Sequence, residues 1–167
     1  MFRSTSSRGN AMKRFSCVLS ILLGLAAIMT ASVNAQGDER SVTGAADGLF
    51  AAGAVLGPVA LQGIGLGTGV FIEADGSASG TFHAVLQGTS LGSPREITVE
   101  GNVNQGSVAA DGRATFSGTA SLDLGIGAPP LAGVVFSVTA GADGVVLVID
   151  STMLPVTGIT AGAVAVE

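Results

Sequence analysis

The sequence lacks most of the residues on which binding and catalytic sites commonly depend. It has no Trp, no Tyr, one His and one Cys in 167 residues. The cysteine, Cys17, lies in an N-terminal apolar segment, so the rest of the chain has no residue for a disulfide, a thiolate nucleophile or a cysteine metal site. Sugars and single-stranded nucleic acids usually stack on aromatic side chains. The missing Trp and Tyr therefore disfavour carbohydrate and single-strand binding.

Basic residues are also few, and they are unevenly placed. Four of the seven lie within the first 14 residues, and beyond them only Arg40, Arg95 and Arg113 remain. These three arginines stand against twelve acidic residues, a net charge of −9. Such a surface repels phosphate backbones and anionic headgroups. This charge balance disfavours binding to nucleic acid and electrostatic binding to membranes, so we expect no nucleic-acid partner, and it suits solubility or a cationic partner.

The N-terminal segment has the order of a secretory signal peptide. Lys13 and Arg14 precede the apolar run 17–29, and small residues lead up to Ala35. We expect a signal-peptide helix within residues 1–35, cleavage after Ala35, and a secreted or periplasmic product whose only membrane contact is this segment. An uncleaved anchor is the alternative.

Turn signals divide the rest of the chain. Residues 36–44 predict a flexible lead-in, and residues 45–167 a single domain. Ala-Asp-Gly occurs four times, beginning at residues 46, 74, 110 and 142. Asp-Gly between alternating segments is a strong hairpin signal, because tight primed turns need the positive φ that Gly and Asp tolerate. Turns are predicted at Asp75-Gly76, Asp111-Gly112 and Asp143-Gly144, where the flanks alternate.

Apolar and polar residues alternate between these turns. Phe82, Ala84 and Leu86 share one predicted face, while Thr81, His83 and Gln87 share the other. The same period of two holds in residues 97–108 and 113–124. The pattern predicts an all-β fold, an antiparallel meander of about eight strands that forms a small barrel or sandwich with one buried face.

The 25 residues between Asp47 and Glu73 carry no charge. By length alone they could span a membrane. Pro58 and the many glycines make a poor helix, which favours tightly paired strands. The alternative is a membrane-active or self-assembling segment at residues 48–72.

The chemistry-bearing residues form no catalytic motif. His83 is predicted on the polar face, and the Gly-x-Ser-x-Gly pattern at residues 88–92 is not an elbow between a strand and a helix, because no helix is predicted after residue 35. One imidazole and scattered carboxylates predict no metal site, and nothing indicates a cofactor. If the sheet closed with its polar face toward the lumen, His83, Glu100, Asn102 and Arg113 would line a pocket.

Residues 74–82, 97–103 and 114–120 resemble short secreted bacterial β-proteins of unassigned role, and the resemblance implies an exported β-meander. We therefore expect a non-enzymatic exported domain that acts as a binding, surface or structural module and has the capacity to self-associate. A small barrel that holds an apolar ligand or substrate is the alternative.

Overall fold

A computed structural model describes residues 39–167. The expected signal-peptide helix and the cleavage site at Ala35 lie outside the described residues. Residues 39–167 contain ten strands and no helix, so this part of the chain has no helical segment able to cross a membrane. The strands are β1 Arg40–Leu49, β2 Val55–Leu56, β3 Val59–Ile72, β4 Ser77–Ser90, β5 Ser93–Val108, β6 Ala114–Asp123, β7 Leu131–Gly141, β8 Gly144–Ile149, β9 Thr152–Met153 and β10 Gly158–Val166.

All ten strands belong to one antiparallel sheet. Its order is β10-β1-β3-β4-β5-β6-β7-β8-β9, and the short β2 pairs with β3. From β3 to β9 each strand lies beside its neighbour in sequence, which is the predicted meander. The last strand returns to the first, and the N–H of Ser41 and of Glu167 each donate to the other's carbonyl at 2.9 Å.

The sheet curls until its two margins meet at one point. Thr157, directly before β10, exchanges two backbone hydrogen bonds with Val145 of β8, at 2.8 and 3.2 Å. Because β10 pairs on its other side with β1, this bridge joins the first and last parts of the sheet. The fold is thus a single curled, barrel-like sheet and not a sandwich of two sheets.

Apolar side chains fill the inside of the curl. Three phenylalanines from β4, β6 and β7 lie at its centre, and the ring of Phe82 is 5.9 Å from that of Phe116 and 5.5 Å from that of Phe136. The aliphatic residues predicted to face inward, such as Ala84 and Leu86, are buried around them. The predicted all-β fold with one buried face is confirmed.

The uncharged segment lies in the middle of the sheet. Most of it is β3, which pairs with β1 on one side and β4 on the other. Inward-facing residues such as Leu66 and Val70 are buried. Alternate outward positions in the middle of β3, from Gly63 to Gly69, are glycine. The long apolar stretch therefore includes a strand that is buried on its inner face and has glycine at alternate outer positions from Gly63 to Gly69.

Two of the predicted turns share one geometry. The N–H of Gly76 donates to Glu73 O at 3.0 Å, and Ser77 N–H donates to the Asp75 carboxylate at 2.8 Å. Gly112 and Arg113 make the same two contacts with Ala109 and Asp111. Only the glycines have positive φ, 86° and 82°. These are three-residue loops with a glycine bulge and not the primed turns expected from Asp-Gly.

Of the two remaining Ala-Asp-Gly sequences, one lies at a turn and the other lies within a strand. Asp143-Gly144 does lie at the β7–β8 connection. The first Ala-Asp-Gly, however, lies within β1, because that strand pairs on both sides through residues 46–48. Residues 40–44, which were predicted to belong to a flexible lead-in, form the first half of β1.

Candidate functional site

A polar row crosses three strands on the outside of the sheet. Glu100 of β5 lies directly opposite His83 of β4 on one side and Ser121 of β6 on the other. Asn102, the next outward residue of β5, lies opposite Thr81 and Thr119. Residues opposed in this way have Cβ atoms about 4.5–5.5 Å apart. Three of the four predicted pocket residues are thus brought together by strand register alone.

These six side chains line a groove of about 500 Å³, which we call the outer groove. The backbone of Gly101 and Ala120 contributes to its floor. Its far wall is the start of β7, where Ala132 and Gly133 bulge out of the pairing with β6 and Gly133 adopts a φ of 74°. The bulge turns a flat polar face into a concave one.

The side chains of the outer groove offer one negative charge and several oxygen atoms that accept hydrogen bonds. Glu100 supplies a carboxylate, and Asn102 and three hydroxyls supply further oxygen atoms. Glu100, Asn102 and His83 are all exposed. The arrangement can receive the N–H groups of an ammonium or guanidinium ion without any rearrangement of the core.

Arg113, the fourth predicted residue, lies elsewhere. It sits at the turn before β6, where its Nε donates to the Asp111 carboxylate at 2.8 Å and both side chains are more than half exposed. The backbone N–H of Arg113, and then its side chain, lower the pKa of the Asp111 carboxyl. Arg113 therefore acts within its own turn.

The condition under which these residues would line a lumen, a polar face turned inward, is not met. The polar faces of β4, β5 and β6 point outward, whereas the inside is occupied by the buried core. The sheet curls around its apolar side chains because this removes them from water. Any site built from His83, Glu100 and Asn102 lies on the outer surface.

The order of side chains across the strands does not suit nucleophilic catalysis. A triad needs the imidazole between the hydroxyl and the acid. Here Glu100 is central, and His83 and Ser121 are two strands apart, or roughly 10 Å. Within residues 39–167 no three His, Cys, Asp or Glu side chains are grouped closely enough to hold a metal ion.

A second groove, of about 590 Å³, lies at the end of the sheet where the β3–β4 and β5–β6 turns meet. It is lined mainly by alanine, glycine and the apolar Ile72, Val108 and Val166, with Arg40 and Glu73 as its charged members. It contains none of the predicted pocket residues. Its lining offers few groups that could orient a ligand.

Sequence reasoning did not single out Ser121, Thr119 or the Gly133 bulge as parts of a site. The two hydroxyl residues were predicted on a polar face, but their position beside Glu100 depends on a register that the sequence does not specify. The bulge has one weak signal, a glycine at the start of a β-branched run.

No protein-family model, curated protein or solved structure matches this chain.

Proposed function

We propose that this chain is an exported, non-enzymatic binding module, and that the outer groove binds a cationic side chain of a peptide or protein partner. The observation that carries the proposal is the alignment of His83, Glu100 and Ser121 in one row. A carboxylate surrounded by hydroxyl and amide oxygen atoms recognises a cation by charge and by several hydrogen bonds at once.

The composition of the outer groove supports a peptide over a small apolar ligand. Small-molecule pockets are usually enclosed and mainly apolar. The outer groove is shallow and open to solvent, and six of its lining side chains are polar. The packed interior likewise supports a surface site over a lumenal one, since the three central rings and their neighbours already occupy the inside of the curl.

Charge over the whole domain supports the same ligand class. Residues 39–167 contain eleven acidic residues and three arginines. Two of those arginines are engaged near turns, Arg95 with the Gly125 carbonyl and Arg113 with Asp111. The resulting negative potential attracts cationic partners and raises their rate of encounter.

The proposal is tested by titrating the ¹⁵N-labelled protein with tetra-arginine and, separately, with tetraglutamate. We expect tetra-arginine to shift the amide signals of residues 81–83, 100–102 and 119–121, and tetraglutamate to shift none of them. Glu100→Gln should weaken binding about tenfold, because it removes a charged hydrogen-bond acceptor.

Asp143→Asn is the matched control, because it removes the same charge at the exposed β7–β8 turn. If both variants weakened binding equally, or if the shifts were spread over all acidic residues, the attraction would be nonspecific and the outer groove would not be the site. Added salt should weaken binding to the wild type.

A further inference from the structure

One strand of the sheet has a free edge over most of its length. β10 pairs with β1 through residues 158–166, but on its other side the chain's contact with β8 ends at the Thr157–Val145 bridge. The edge is free because β8 is shorter than β10. β8 begins at Gly144, directly after the β7–β8 turn, so the hairpin provides no strand to pair with β10 beyond the Thr157–Val145 bridge.

The free edge presents unpaired backbone groups. Ser41 and Glu167 exchange both of their hydrogen bonds, and in an antiparallel pair such positions alternate with positions that point away. The N–H and C=O groups of Val164 and Val166 therefore point away from β1. Among the described residues no strand is paired with this edge.

The side chains of β10 do nothing to block pairing. Proteins usually protect a free edge with Lys, Pro or an inward-pointing charge. The segment from Ser151 to Val166 contains no charged residue, and its only proline, Pro155, precedes β10. Ala163 and Ala165 are small and exposed on the outer face. A second strand could approach without steric or electrostatic hindrance.

Apolar side chains at the start of β10 and in the segment before it extend this surface. Met153 is 71% exposed, Val156 53% and Ile159 37%. Strand pairing alone covers little area compared with a stable interface, which buries about 1,200–2,000 Å² in total. These neighbours supply apolar area that a partner would remove from water.

We propose that the free edge of β10 is a self-association site at which two copies of this chain pair their β10 strands in antiparallel orientation. The distribution of charge favours a second copy of this chain as the partner. Two copies of so acidic a domain repel each other over much of their surfaces, whereas the free edge of β10 lies in the uncharged segment 151–166, so that two copies can approach there with little repulsion. A cationic partner would gain nothing from this segment and would favour the acidic faces instead. A two-fold axis through paired β10 strands makes the interface self-complementary.

This proposal is independent of the outer groove, which lies on β4, β5 and β6. It is tested on the protein as purified from expressing cells, with its N-terminus identified by mass spectrometry. Analytical ultracentrifugation over a wide concentration range should show a monomer–dimer equilibrium. Hydrogen exchange at Val164 and Val166 should slow as the dimer forms, while exchange within β4 should not change with concentration.

A pair of variants separates edge pairing from general changes in charge. Ala163→Glu with Ala165→Glu places like charges across the proposed strand pair, and should raise the dimer Kd at least about tenfold. Ser79→Glu adds a charge on the exposed face of β4, a strand paired on both sides, and should leave the Kd within about threefold. Thermal unfolding should show that both proteins remain folded.

Three results would overturn the proposal. The wild type could remain monomeric at millimolar concentration. The Val164 and Val166 amides could be protected equally at all concentrations, which would mean that another segment of the same chain covers the edge. A dimer could persist in the Ala163→Glu, Ala165→Glu protein, which would place the interface elsewhere.

Discussion

The ring of Phe136 on β7 occupies the space that a side chain at Gly101 on β5 would need. A Cβ atom built on Gly101 would lie 2.5 Å from Cε1 of Phe136. The two strands are not neighbours, because β6 lies between them. The contact therefore depends on the curl of the sheet, which brings β7 over the inner face of β5 and lets Phe136 stack on Phe82.

Replacing Gly101 by Ala should destabilise the fold by roughly 1–3 kcal/mol, because the methyl group would displace the Phe136 ring in a filled core. Gly67→Ala is the matched control, since a Cβ at Gly67 meets nothing within 4 Å and its φ is not positive. That variant should be neutral or more stable by up to about 1 kcal/mol. Chemical denaturation measures both, and equal stabilities would mean that the two strands do not approach as described.

The two bulged turns should tolerate little change at their glycines. Gly76→Val and Gly112→Val should each cost about 1–3 kcal/mol, because a β-branched residue resists the positive φ at these positions. Asn accepts this conformation more readily, so Gly76→Asn should lose less. Wild-type melting temperatures in both Val variants would contradict the assigned turns.

Acid should weaken the same two turns. The Ser77 hydroxyl and then its backbone N–H lower the pKa of Asp75, and the Arg113 N–H lowers that of Asp111. A carboxyl whose pKa is lower in the folded state stabilises the fold above its unfolded pKa, about 3.9, and this contribution is lost as the pH falls through the folded value. Unfolding free energy should therefore decline below about pH 4.

The double variant Asp75→Asn, Asp111→Asn provides the comparison for this decline. An amide side chain can still accept the backbone hydrogen bond, but it does not titrate in this range. Its stability should fall less steeply than that of the wild type between pH 4 and pH 2. Parallel curves would show that other carboxyls cause the acid sensitivity.

Export is a prediction of the sequence alone. Expression in a bacterium with a general secretory pathway should yield a product that begins at Gln36, because small residues precede the peptide bond after Ala35. Intact-mass and N-terminal analysis of the exported fraction test this. A product that keeps residues 1–35 and stays with the membrane fraction would support an uncleaved anchor.

Local signals in the sequence were sufficient to predict most of the fold. Alternation in β4, β5 and β6 identified the buried face, because each residue's side depends only on its neighbours along the strand. The Leu91-Gly92 turn between β4 and β5 was missed, since Leu91 has a φ of 51°, which a leucine seldom adopts. Likewise, Asp47-Gly48 looks like a turn but lies within a strand that has partners on both sides.

The candidate site was harder to predict, because it depends on contacts between strands. Alternation placed His83, Glu100 and Asn102 on polar faces, but it does not determine whether those faces point into a curl or away from it. Arg113 was predicted to join them because it begins the alternating polar and apolar pattern of residues 113–124. Its short-range contact with Asp111, only two residues away, holds it at the turn.

The central claim is that the inside of the sheet is filled, so that recognition takes place on its outer surface and edge. A NOESY spectrum that contains the Gly101 α-protons and the Phe136 ring protons tests this most directly. We predict strong cross-peaks between them and an upfield ring-current shift of the Gly101 α-protons. An absence of those cross-peaks, with Gly101 at a random-coil shift, would contradict the account.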